Sequence, residues 1–254
     1  MSFITNYTII NNKSLIMNAN KSIFYWSPFT SKVATVYSVI NSAETVNKYS
    51  KKNGFKATIV DAVKEWNEFS QTISKKNIQL IQLNTESKFI SMKKEGFLRS
   101  RMAYWYIFFK CFNPLKKLLR VEKPDYFIIH LITSLPLVLF TIFNFKTKLI
   151  LRISGLPKMT FLRKLIWKMA AKRIYKISCP TKATYDDLSK YQFLKEKLIV
   201  LRDPVLNISE INMKKKLIES IPHNTKEFIS DKKFFLSIGR FTRQKNFLFY
   251  LDCI

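Results

Sequence analysis

The chain has 254 residues, 47% hydrophobic and 15% aromatic, which excludes a disordered tail; 4 Gly and 8 Pro exclude a collagen-like or loop-dominated chain. Its 44 Lys and Arg stand against 17 Asp and Glu, a net charge of +27, which predicts an anionic partner: nucleic acid, an anionic membrane face or phosphorylated substrates. Three Cys with no CxxC pair and 2 His exclude a disulfide scaffold, a Cys-type zinc site and a His-rich metal site, and they suit a reducing cytoplasm.

The segment 1–20 has no basic start, sustained apolar stretch or small-residue cleavage site, so no signal peptide is expected. Ser22–Trp26 is a short strand ended by Ser27-Pro28. From Val33 to about Asn53 the apolar residues follow a helical period, with Val33, Val36, Val39, Ile40, Ala43 and Val46 on one face, and Gly54 stops the helix. Ala57–Val60 and Ile78–Leu83 are further strands. Gly96 to Arg120 is a basic, aromatic-rich helical stretch with an expected break at Asn113-Pro114.

Tyr126 to Phe145 carries no Asp, Glu, Lys or Arg and imitates a membrane span. His130, Thr133, Ser134 and Pro136 interrupt it, so it reads instead as a strand (Tyr126–Leu131), a polar loop and a buried helix from Pro136. Strand Leu149–Ile153 follows, closed by Ser154-Gly155-Leu156-Pro157, then helix Leu162–Lys172, strand Ile174–Ser178, a helix from Thr181 to about Lys190, and strand Leu198–Leu201. Thr181 is a plausible N-cap for its helix. The alternation of apolar strands with helices predicts an α/β protein with a parallel sheet covered on both faces. Residues 207–232 turn polar and read as a connector; a new unit opens with strand Phe234–Ile238, a turn at Gly239-Arg240 and a helix from about Gln244.

Phe234 to Leu248 (FFLSIGRFTRQKNFL) resembles the opening of the second domain in retaining glycosyltransferases of family 4, which have the GT-B fold. The resemblance continues upstream in order: Tyr25-Trp26-Ser27-Pro28-Phe29, Lys123-Pro124-Asp125 with the strand ending at His130, Arg152-Ile153-Ser154-Gly155, Cys179-Pro180-Thr181 and Arg202-Asp203-Pro204-Val205. It implies a doubly wound, Rossmann-like N-terminal domain of GT-B type over residues 21–206, after a poorly defined segment 1–20. A connector at 207–232 and a truncated donor-binding domain opening at 233–254 complete the expected organisation.

The resemblance implies a hexosyltransferase-type enzyme. It would move a sugar from a nucleotide-diphosphate sugar to a polysaccharide, lipopolysaccharide or lipid-linked acceptor, without a metal or other cofactor. Arg240 and Lys245, with Gly239, would hold the diphosphate, helped by the free N–H groups of a helix start. Ser31 and Lys32 lie in the first loop, where the family usually has Gly and this chain has none. His130, Arg152 and Ser154 are the candidate catalytic residues, since each sits at or just beyond the C-terminal end of a strand, where open α/β sheets bind ligands. Many family members carry a His in the loop after Arg152; this sequence does not. The family's acidic pair, which grips the donor sugar, lies beyond Ile254.

The charge fits an enzyme peripheral to the cytoplasmic face of the cell membrane. Segment 88–120 interleaves Lys and Arg with Tyr104-Trp105-Tyr106-Ile107-Phe108-Phe109, and segment 146–182 is basic with no Asp or Glu. No nucleic-acid partner is expected from the resemblance. A basic nucleic-acid-binding protein is the alternative from the charge alone.

Overall fold

A computed structural model describes residues 8–10, 21–31, 34–50, 54–85, 97–155, 157, 159–204, 208–216, 239 and 246–252. The chain forms two compact units, Met1–Val205 and Leu206–Ile254.

The first unit is built on one eight-stranded sheet. Its strands are β1 (Thr8–Ile10), β2 (Lys21–Trp26), β3 (Phe55–Asp61), β4 (Gln79–Gln82), β5 (Tyr126–Ile129), β6 (Lys148–Arg152), β7 (Ile174–Cys179) and β8 (Leu198–Val200), in the spatial order β1-β4-β3-β2-β5-β6-β7-β8. The strands β2 to β8 are mutually parallel, and only β1 runs antiparallel, along the edge of β4. This is the α/β, Rossmann-like sheet that the run of apolar strands predicts. Order grows leftward from β2 through β3 and β4, then resumes on the other side of β2 with β5, so the direction of winding reverses between β2 and β5.

The side-chain period of two assigns each strand residue to one of two cores. Phe24, Trp26, Val60, Ile81, Phe127, Ile129, Leu149 and Leu151 share one core with α3 (Phe97–Glu122), α4 (Ser134–Ile142) and α5 (Phe161–Ala171). Tyr25, Ile59 and Leu80 share the other with α1 (Ala34–Tyr49) and with the segment from Trp66 through α2 (Ser70–Lys75). Each large apolar side chain buried this way stabilises the unit by about 1.5–3 kcal/mol. The helix α1 buries Val36, Val39, Ile40 and Ala43, the face its period predicts, and Gly54 follows with φ 68°, a left-handed turn favourable to glycine.

The apolar run after Asp125 is a strand and a helix, as expected, with Pro136 in the first turn of α4, where its missing N–H leaves no bond unmade. Among the described residues no helix is long and apolar enough to cross a membrane. Thr181 caps α6 (Lys182–Ser189): its Oγ accepts from the Thr184 amide at 3.1 Å.

The expected break at Asn113-Pro114 is absent. The helix α3 runs unbroken through Pro114. The proline leaves the Lys110 carbonyl without its partner, but Lys110 is exposed, so water can serve there, while Cys111, Leu115 and Leu118 bury their side chains on the sheet side and hold both halves in line. Four short elements were not expected: β1, α2 with the 3₁₀ turn Asn67–Phe69 before it, and α7 (Gln192–Lys195). In the second unit α8 (Ile208–Lys216) occupies the stretch expected to be a connector, and α9 (Phe247–Asp252) lies in the expected last helix. The expected strand Phe234–Ile238 lies outside the described residues.

Candidate functional site

The reversal between β2 and β5 fixes where a ligand crevice forms, at the C-terminal ends of those two strands. Register makes this edge polar. Trp26 pairs with Val60 and with Ile129, Asp61 with Gln82, Ile129 with Leu151, and Arg152 with Ser178. One residue further along each strand, Gln82, Asp61, Ser27, His130, Arg152 and Ser178 form a single row across β4, β3, β2, β5, β6 and β7. All six are buried. Their neighbours Ile81, Val60, Trp26, Ile129, Leu151 and Ile177 belong to the α3–α5 core, so alternation turns the polar row to the α1 side of the sheet.

His130 occupies the centre of that row. It follows β5 directly, and its amide donates to the Trp26 carbonyl at 2.9 Å, which closes the β2–β5 ladder. The ring is 5% exposed, and neither Nδ1 nor Nε2 has a hydrogen-bond partner among the described residues. The neighbouring Ser27 Oγ is buried and unpartnered as well. Buried polar groups are almost always bonded, and each one left over costs about 1–3 kcal/mol. A cluster of them at a switch point is a place for a polar ligand. Burial, and after it the Arg152 charge, lowers the His130 pKa to about 3, so the imidazole is neutral near pH 7 and presents one donor and one acceptor.

The wall beside it is rigid. Tyr25 sits with its ring 6.2 Å from the imidazole and its hydroxyl 2.9 Å from Ser42 Oγ. The loop after His130 carries Ile132 at φ 47°, a left-handed conformation that a β-branched residue rarely adopts, and the Trp26 indole Nε1 donates to the Ile132 carbonyl at 3.1 Å.

Arg152 is held on three sides. Its guanidinium pairs with Asp203, donates from Nη1 to Ser178 Oγ at 3.2 Å and from Nη2 to the Leu201 carbonyl at 3.0 Å. Asn41 of α1 donates to the Pro204 carbonyl at 2.9 Å. Together these bonds latch the chain at 201–204 to the C-terminal edge of the sheet. Arg152 is therefore close enough to bias the imidazole, but its own donors point at protein partners. Ser154 lies exposed two residues beyond it, and a side chain at Gly155 would meet nothing within 4 Å, so this loop borders open space. Ser31 is exposed in the loop after β2, and Gly239 is exposed in the second unit. Lys32, Arg240 and Lys245 lie outside the described residues.

Sequence reasoning did not single out Ser178 or Asp203 as partners of Arg152, nor the acidic corner after β3. There Glu65 is buried against Asp61 and accepts from the amides of Ala62 at 3.2 Å and Val63 at 2.7 Å, while Gln82 Nε2 reaches Asp61 at 3.4 Å. Burial, then the Asp61 charge, pushes the Glu65 pKa well up. The one signal in the sequence was an Asp directly ending an apolar strand. No group of His, Cys, Asp and Glu among the described residues could hold a metal ion.

No protein-family model matches the chain, and no curated protein matches its sequence. Its fold has solved counterparts. The UDP-GlcNAc 2-epimerase from Neisseria meningitidis bound to UDP-GlcNAc matches with a TM-score of 0.52 and 15% identity, over 84% of this chain and 56% of that one. A glycosyltransferase from Rickettsia africae matches with a TM-score of 0.51 and 14% identity, over 81% and 51%. Another UDP-N-acetylglucosamine 2-epimerase gives 0.50 and 16%, over 72% and 48%. The chain thus spans about half the length of these structures. The class the likeness defines is one of fold: a Rossmann-like α/β half of GT-B type. Family 4 and its retaining chemistry are finer than that likeness.

Proposed function

We propose that this chain supplies the acceptor-side domain of a glycosyltransferase, of family 4 and retaining type. It would take a hexose from a nucleotide-diphosphate sugar to a polysaccharide, lipopolysaccharide or lipid-linked acceptor, with no metal. The carrying observation is His130: buried, neutral near pH 7, with both ring nitrogens unpartnered beside the unpartnered Ser27 hydroxyl at the switch point. A sugar acceptor offers hydroxyls that both donate and accept, which suits a neutral imidazole better than it suits a cation. In this reading His130 and Ser154 orient the acceptor hydroxyl, and Arg152 positions the rim of the crevice through Asp203 and Leu201. Gly239, Arg240 and Lys245 hold the diphosphate, where cations stabilise the charge that develops on the leaving group.

The test is release of nucleoside diphosphate from a panel of UDP- and GDP-sugars in the presence of cell-envelope glycans and lipids. Acceptor-dependent release is expected, lowered about 100-fold or more in His130→Ala with the circular dichroism unchanged. Absence of turnover together with absence of binding to any acceptor glycan or lipid would sink the proposal. Conversion of UDP-GlcNAc to its epimer without any acceptor would replace it with an epimerase, an activity carried on the same fold.

A further inference from the structure

The outer side of the helix layer α3–α4–α5 is unusual. On α3, Met102, Trp105 and Phe109 are 63%, 60% and 70% exposed. They recur at i, i+3 and i+7, a single stripe along the helix. Trp105 and Phe109 stack at 5.6 Å between centroids with 18° between planes, two large rings supporting each other in solvent. With Tyr106 and Lys110 these residues line a shallow apolar hollow. On α5, Phe161 is 86% exposed, and Leu165 and Met169 continue its stripe at 47% and 48%. Both helices pack on the same side of the sheet, with α4 between them, so both stripes belong to one outer face. Exposed apolar stripes of this kind mark an interaction site.

Charge selects the partner. Across α3 and α5 nine Lys and Arg face one carboxylate, Glu122, and between Asp125 and Asp186 the sequence has no acidic residue. A second copy of the chain would set like charges against each other. An anionic bilayer accepts both features, since aromatic rings settle at the headgroup boundary and lipid phosphates take the cations. Lys116 and Arg120 lie over the Phe143 ring at 4.7 and 5.2 Å, which extends the aromatic and basic pattern to the end of α3. We infer that this α3–α5 face docks on an anionic lipid surface, with Met102, Trp105 and Phe109 entering the headgroup boundary. The inference is independent of the glycosyltransferase proposal: an inactive protein can dock, and an active one can fail to.

Trp26, Trp66 and Trp167 are buried, so Trp105 is the solvent-exposed reporter. With vesicles of phosphatidylcholine and phosphatidylglycerol its emission shifts to the blue and is quenched by brominated lipid. Co-sedimentation is about tenfold or more stronger than with pure phosphatidylcholine and is lost in high salt. Trp105→Ser with Phe109→Ser, and separately Lys164→Glu with Lys168→Glu, each weaken sedimentation about tenfold, without a change in melting temperature, because all four side chains are exposed. Equal binding to neutral vesicles, or an unshifted Trp105 spectrum, overturns the inference. So does lipid-free dimerisation that hides Trp105, or retention on single-stranded DNA by a protein that ignores vesicles.

Discussion

Replacing His130 with leucine should make the first unit more stable. The imidazole is buried with two unbonded nitrogens, each burdened by about 1–3 kcal/mol of lost solvation. Leucine removes that penalty, and its different shape in a packed site costs about 1 kcal/mol in the opposite direction. A net gain of about 1–5 kcal/mol near pH 7.5 corresponds to about 3–15 °C in Tm for a unit of this length. The gain should also depend on pH. The folded-state pKa lies at about 3 against an ordinary 6.5. Between those values the unfolded chain binds a proton that the folded chain refuses. Wild-type stability is therefore full above pH 6.5 and falls toward pH 3, by up to about 1.4 kcal/mol per pH unit. His130→Leu lacks that loss, so its advantage should widen by about 2 kcal/mol at pH 5. Urea unfolding of both proteins at pH 7.5 and pH 5 measures the difference. A variant less stable than wild type at pH 7.5, or a difference that does not move with pH, would show that His130 is a bonded structural residue.

Arg152→Met should destabilise by about 3 kcal/mol, because it leaves Asp203 and the Leu201 carbonyl without the cation that latches them. Adding Asp203→Asn should cost little more, and amide exchange at Leu201, whose N–H reaches the Cys179 carbonyl, should speed up; additive effects would refute the latch. Glu65→Gln should flatten the alkaline side of the stability profile. A carboxyl whose folded pKa is raised contributes most below its unfolded value and loses that contribution as pH rises, and the amide does not titrate. Thermal melts at pH 4.5 and pH 8 decide it: the variant should gain relative to wild type only at the higher pH.

The strands were legible because parallel strands buried on both faces read as unbroken apolar runs, as in Tyr126–Ile129 and the Leu149–Leu151 stretch of β6. The start of β5 was legible too, since the turn at Lys123-Pro124-Asp125 precedes it, while its end was read two residues late, at Leu131 rather than Ile129. What could not be read was everything that register creates. Ser27, Asp61 and Ser178 are ordinary residues in the sequence and become one polar row only when six strands pair. The Arg152–Asp203 pair joins residues 51 apart, through a contact that no local pattern encodes. Pro114 misled because its local rule is sound, but the buried neighbours on either side outweigh one missing hydrogen bond. Three-residue β1 has too little pattern to register at all.

The left-handed Ile132 has a kinetic consequence. Its backbone carries strain of about 1–3 kcal/mol before anything binds, held there by the Trp26 indole bond to its carbonyl. A ligand arriving beside His130 thus meets a corner already formed on the Ile132 side. Association there should proceed in one concentration-linear step, with the selectivity of the corner expressed in how slowly a fitting ligand leaves.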